Sequence, residues 1–151
     1  MILIIEGPDG SGKTTLANKL SEQTGWPVIH RVQPKTDADK QQMLAEYIRI
    51  IKNGKNAILD RGWYSEMAYG PIMRDASVIS YPQMYELERL LAKKGALIIY
   101  CTDSPEILWQ RATRRGEDYI TNYETFVAIC EAFDEIMEVP HIIPVVRYGY
   151  K

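Results

Sequence analysis

Five apolar runs punctuate the chain, at residues 1–5, 27–32, 56–60, 96–101 and 141–146, and none alternates cleanly between apolar and polar positions. A strand with one wet face alternates, whereas a continuous run is the pattern of a strand buried on both faces, as in a parallel sheet. Between the runs the period becomes helical. Leu16, Ala17 and Leu20 share one face, and residues 38–52 put Met43, Leu44, Tyr47, Ile48 and Ile51 on one stripe. Residues 82–93 do the same with Met84, Leu87, Leu90 and Leu91, and residues 122–137 with Tyr123, Phe126, Val127, Cys130, Phe133 and Met137.

The polar punctuation agrees. Ser80-Tyr81-Pro82-Gln83 and Thr121-Asn122-Tyr123-Glu124 have the form of capping boxes, and Ser104-Pro105 reads as an N-cap followed by proline at the first helical position. Gly25, Gly54, Gly95 and Gly116 follow helical runs as C-terminal stops, the last three with Lys or Arg just before them. Strand and helix alternate throughout, with no repeat or linker. This predicts one α/β domain over 1–151, a three-layer α/β/α sandwich around a five-stranded parallel sheet with right-handed crossovers. In such sheets ligands bind beyond the carboxyl ends of the strands.

Composition narrows the class without deciding it. A chain of 151 residues can bury a real core. A net charge of −2 and a pI near 5.7 argue against a general nucleic-acid binder. Cys101 and Cys130 lack metal-ligand spacing and read as buried, reduced thiols of a cytoplasmic protein. No run is long enough to span a membrane, and the first strand starts without a signal-peptide pattern.

The chemistry is announced by Gly7-Pro8-Asp9-Gly10-Ser11-Gly12-Lys13-Thr14, a G-x-x-x-x-G-K-T loop between the first strand and the first helix. Its glycines let the backbone curl around an oxyanion, with successive N–H groups and the helix N-terminus aimed at nucleotide phosphates. Lys13 adds a point charge, and the Thr14 hydroxyl can ligate Mg2+. Asp60 ends the third apolar run beside this loop, as a carboxylate for the same metal, and Arg61 next to it offers a fork for a phosphate. A structural Asp–Arg ion pair is the plainer use of that dipeptide. Arg111, Arg114 and Arg115 cluster before Gly116. They serve either as cations on a helix C-terminus or as a lid over phosphates.

The extended segment Glu6–Thr15, E-G-P-D-G-S-G-K-T-T, resembles the E-G-x-D-G-x-G-K-T-T loop of thymidylate kinases. Asp60-Arg61-Gly62-Trp63-Tyr64-Ser65-Glu66-Met67-Ala68-Tyr69-Gly70 is similar to that family's D-R-x-x-x-S-x-x-A-Y-Q, and residues 111–119 resemble the arginine-rich lid of nucleoside monophosphate kinases. The resemblance implies a P-loop kinase fold, ATP and Mg2+ as cofactors, and a deoxypyrimidine monophosphate such as dTMP as acceptor. It places ATP on Gly7 through Thr15, including Pro8, Asp9, Gly10, Ser11, Gly12, Lys13 and Thr14, and the metal on Thr14 and Asp60. Asp9, Arg61 and Tyr69, with Arg31 and Arg74, hold the acceptor. Because Ser11 stands where one subgroup has a loop arginine, the transition-state cation falls to Arg111, Arg114 or Arg115, catalytic partners of Lys13. The family is usually dimeric, which implies a homodimer.

The chain also departs from the family. It is shorter, Gly70 replaces the usual Gln and loses its pocket-gating side chain, and Arg31-Val32-Gln33-Pro34 stands where R-E-P-G is usual. No F-x-R motif for reading thymine occurs in 40–52. A virus-borne branch of the family acts on 5-hydroxymethyluracil within DNA, which leaves DNA as an alternative substrate. A nucleotide-binding switch without an acceptor is the alternative of another class.

Overall fold

Alternate side chains of the buried strands feed two separate cores. The computed structural model describes residues 1–30, 36–116 and 122–149. Its strands are β1 (Ile2–Glu6), β2 (Val28–His30), β3 (Ala57–Asp60), β4 (Ala96–Thr102) and β5 (Val145–Gly149). They form one sheet in the order β2-β3-β1-β4-β5, with every pairing parallel. Helices α1 (Lys13–Thr24), α2 (Asp37–Lys52), α3 (Trp63–Met73), α4 (Tyr81–Ala92), α5 (Pro105–Arg114) and α6 (Tyr123–Glu138) make the crossovers. Ile2, Ile4, Leu59, Ile98 and Tyr100 point into the larger core, with residues of α2, α3, α4 and α6. Leu3, Ile5, Ile58 and Cys101 point the other way, against Leu16 and Ala17 of α1. The fold is the three-layer sandwich expected from the strand–helix alternation. Both cysteines are free and buried, and no described helix is long and apolar enough to cross a membrane.

The boundaries differ in informative ways. Ser80 and Ser104 cap as expected, their hydroxyls accepting from the Gln83 and Ile107 amides. The cap of α6 is Asn122, whose side chain accepts from the Thr125 amide; Thr121 lies outside the described residues. The last apolar run does not pair at its start: β5 begins only at Val145, and His141 and Ile142 turn instead toward Glu88 of α4. The largest difference is α3. The segment after Arg61 reads as an acceptor loop but folds as a helix whose first eight residues, Trp63 to Gly70, are all buried. A helix apolar all round shows no stripe, and Gly70 and Pro71 argue against one locally; burial outweighs both.

Candidate active site

The carboxyl ends of β1, β3 and β4 bring the phosphate loop, Asp60-Arg61 and Asp103 to one edge of the sheet. The loop leaves β1 through Gly7 and enters α1 at Gly12, which has a left-handed backbone and supplies no side-chain cap. The first amides of α1 are therefore open to an anion. Lys13 begins the helix and folds back, its Nζ 3.2 Å from the Pro8 carbonyl. Burial, reinforced by the neighbouring Arg61 charge, pushes its ammonium down to about 8. A desolvated cation without a carboxylate at contact distance among the described residues is poised for an arriving phosphate.

The Thr14 hydroxyl donates to Asp60 Oδ2 at 2.8 Å, and His30 Nδ1 approaches the same oxygen at 3.0 Å. Asp60 is buried, so the structure puts two hard oxygen donors side by side at the head of α1. Among the described residues no group of three or more His, Cys, Asp and Glu could cage a metal alone. That suits Mg2+, which takes few protein ligands and completes its shell with water and phosphate.

Asp9 and Arg61 meet across the mouth of the site at 2.5 Å. Arg61 has a φ of 74°, a left-handed conformation uncommon for a non-glycine residue. Its amide donates to the Ile5 carbonyl, and its guanidinium lies 5.4 Å from the centre of the Tyr69 ring. One terminal nitrogen takes Asp9; the other, Nη1, is buried without a hydrogen-bond partner among the described residues. Burial raises the Tyr69 hydroxyl and keeps it neutral, and its ring packs edge-on against Phe133 of α6.

The remaining expected residues fall less uniformly. Arg111 is half exposed and lies 3.2 Å from Asp103. Arg114 ends α5 and Arg115 is its C-cap; both are exposed, and neither makes an ion pair with a described residue. The rest of the expected lid, 117–119, and Arg31 lie outside the described residues. Arg74 is the C-cap of α3, and its guanidinium folds back along the helix to pair with buried Glu66 of the first turn; its Nε is buried without a hydrogen-bond partner among the described residues. The loop after α3 closes on the same carboxylate, which also accepts from the Val78 amide at 3.2 Å. Gly70 belongs to that closure: a Cβ there would lie 2.9 Å from both the Ala76 carbonyl oxygen and Ser77 Cα.

Two buried carboxylates were not singled out by their motifs. Glu6 accepts from the Gly62 and Ser65 amides at 2.9 and 3.0 Å and from the Ser65 hydroxyl at 2.5 Å. Glu88 accepts from the Tyr64 hydroxyl, approaches His141 Nδ1 and takes the Ile142 amide, each at 2.7 Å. His141 Nε2 also lies 2.8 Å from the Ile136 carbonyl. Acceptors at both ring nitrogens favour the protonated imidazole and raise its pKa against the lowering effect of burial. A carboxylate closing an all-apolar strand, as Glu6 does, is the signal that finds the first; nothing in local sequence finds the second.

No protein-family model matches the chain. It is 29% identical over 136 residues to the SPβ prophage-derived protein YorR of Bacillus subtilis strain 168, covering 90% of this chain and 81% of that protein. It is 27% identical over 146 residues to the deoxyguanosine kinase of the same organism, covering 82% and 70%. To a probable thymidylate kinase of Methanosarcina mazei it is 28% identical over 149 residues, covering 77% and 71%. The chain is a kinase-like nucleotide phosphotransferase. It is related to the deoxynucleoside and thymidylate kinases alike, with no preference among them strong enough to fix a substrate. Solved structures agree on the fold. The Bacillus subtilis YorR protein in complex with phosphorylated GDP superposes with a TM-score of 0.82 at 23% identity, covering 99% of this chain and 85% of that one. A deoxyadenosine kinase from M. mycoides, with the products dCMP and dCDP bound, gives 0.65 at 17%, covering 99% and 90%.

Proposed function

We propose that residues 1–151 form a single kinase domain that transfers the γ-phosphoryl of Mg2+–ATP to a deoxynucleoside monophosphate, with dTMP the first candidate. The observation that carries the reading is Arg61: a partly buried guanidinium beside the P-loop and the Tyr69 ring, with one nitrogen on Asp9 and the other, Nη1, buried without a hydrogen-bond partner among the described residues. That nitrogen suits an acceptor phosphate, and Asp9 suits a sugar hydroxyl of the same nucleotide. A bare nucleoside would offer Arg61 nothing.

Catalysis then rests on positioning and charge. Lys13 and the α1 amides hold the donor phosphates. Thr14 and Asp60 hold Mg2+, which when bound neutralises charge on the β- and γ-oxygens. Arg61 and Asp9 set the acceptor phosphate in line with the γ-phosphorus, and Tyr69 supports Arg61 from below. Arg111, Arg114 and Arg115, with the lid over 111–119, close on the donor, exclude water and supply the cation for charge spreading over the equatorial oxygens.

The choice of dTMP rests on the E-G-x-D-G loop, the Asp60–Tyr69 segment and the probable thymidylate kinases among the relatives. A guanine nucleotide is the second reading, favoured by the ligand of the YorR structure. The test is ADP release with each deoxynucleoside monophosphate, GMP, the matching nucleosides and DNA containing 5-hydroxymethyluracil. Turnover with dTMP above the rest is expected. Turnover with nucleosides alone, or with DNA alone, refutes the monophosphate reading.

A further inference from the structure

Gly62 occupies the N-cap position of α3 and has no side chain to serve as a cap. The Ser65 amide that such a cap would satisfy is nevertheless paired, as is the amide of Gly62 itself. Glu6, the last residue of β1, reaches across from the neighbouring strand and puts Oε2 on both the Gly62 and Ser65 amides, while Oε1 takes the Ser65 hydroxyl. Ser65 is the third residue of the helix, the position whose N–H an N-cap side chain ordinarily accepts. Gly62 leaves room for this exchange: a Cβ there would lie 3.0 Å from Ile4 Cγ2 and 3.4 Å from the Glu6 carboxylate.

The borrowed cap sits on the residue after Arg61. A left-handed non-glycine conformation persists only where its surroundings over-determine it. The Arg61 turn is pinned on both sides, by its own amide on Ile5 and by the Gly62 amide on Glu6. Glu6 is fully buried, and burial raises its carboxyl to about 7 against the lowering effect of the three bonds and the Arg61 charge. A buried carboxylate without an ion-pair contact among the described residues is costly for the fold, so its place needs a reason. Glu6 is also joined covalently to Gly7, so one residue ties the start of the donor loop to the start of the acceptor helix.

We infer that Glu6 is a positioning residue for the acceptor: its carboxylate caps α3 in place of Gly62 and fixes the turn from which Arg61 reaches the acceptor phosphate. The inference rests on the acceptor role of Arg61 proposed above. Glu6 touches no reacting group and acts only through Arg61.

The experiment compares Glu6→Ala and Glu6→Gln by steady-state kinetics with dTMP and dGMP, and by hydrogen exchange without nucleotide. Glu6→Ala should raise the acceptor KM by about ten- to a hundredfold, the scale on which a supporting contact lets a binding group drift. The KM for ATP should move less than about threefold on the same scale. Glu6→Gln should restore the acceptor KM to near wild type, because its amide oxygen can take both N–H groups while its NH2 donates to the Ser65 hydroxyl. In an Arg61→Ala background the Glu6→Ala effect should vanish, since the two act in series. Exchange at Gly62 and Ser65 should accelerate in Glu6→Ala while Leu16 in α1 stays unchanged. An equal rise in both KM values, a Gln variant as impaired as the Ala variant, or an effect that persists without Arg61 overturns the inference. If the wild type phosphorylates neither nucleotide, it is the acceptor reading that fails. The capping role is then decided by exchange alone, and uniform acceleration along the chain rejects it.

Discussion

Gly10→Ala tests whether the phosphate loop is shaped by its ligand alone or also by the helix behind it. A Cβ at Gly10 would lie 2.4 Å from the Leu108 carbonyl oxygen and 3.1 Å from the Ala112 amide nitrogen, both in the backbone of α5. A comfortable carbon–oxygen approach is about 3.3 Å or more, so loop and helix must part by about 1 Å. Leu108 and Ala112 are buried, so α5 cannot simply slide. The φ of +81° adds about 1–2 kcal/mol for an L-residue, and overpacking about 1–3 kcal/mol. Gly12 is the internal control: its φ is +85°, and nothing lies within 4 Å of its Cβ position. Gly12→Ala should therefore show only the backbone term. At roughly 2–4 °C per kcal/mol for a domain of this size, the overpacking alone should make Gly10→Ala melt about 2–12 °C below Gly12→Ala. Thermal unfolding by circular dichroism without nucleotide reads this directly. Equal melting temperatures would refute the claim that α5 sets the residue at position 10.

Three further outcomes follow from the same geometry. Lys13→Met should abolish ADP release yet melt above the wild type near pH 7, because it removes a buried charge. Since the folded pKa of about 8 lies below the unfolded 10.5, wild-type stability should rise between those pH values, and a constant gap between the two proteins over that range refutes the assignment. At least one of Arg111→Ala, Arg114→Ala and Arg115→Ala should lower kcat by about 10³-fold with little change in the KM for ATP; three variants within tenfold of wild type would move the cation outside the lid. Burial alone would lower the His141 imidazole, but its bonds to Glu88 and the Ile136 carbonyl outweigh it and raise its pKa above 6.5. The stability it contributes is complete below about pH 6.5 and lost as pH rises through the folded value, so the melting gap between wild type and His141→Ala should narrow in that direction, and a gap that widens counts against the cation.

The readable parts of the sequence were those whose physics is local. The parallel sheet shows in the unbroken apolar runs, since a strand covered on both faces has no polar side to alternate. The P-loop shows because its residues are contiguous and its context, strand then helix, is contiguous too. Ser80 and Ser104 cap as their neighbours predict because a cap needs only residues three positions apart. Helix α3 was hidden for the complementary reason: buried on every side, it has no stripe. The unpaired start of the last apolar run was hidden because Glu88, some fifty residues away, holds it.

The sequence by itself determined the layers of the fold, the phosphate loop and the reactive types at strand ends: Lys13, Thr14, Asp60 and Arg61. Tertiary structure decided what those residues do to one another. It placed Arg61 on Asp9, and it folded Arg74 back along α3 onto Glu66. It also decided why some glycines are glycine. Gly7 and Gly10 read as room for an oxyanion, yet a Cβ at either would strike protein backbone, at Cys101 and at Leu108, while Gly12 faces open space. Spacing along a chain records which backbone torsions a turn needs; which atoms arrive from elsewhere to press on that turn is fixed only when the strands and helices pack.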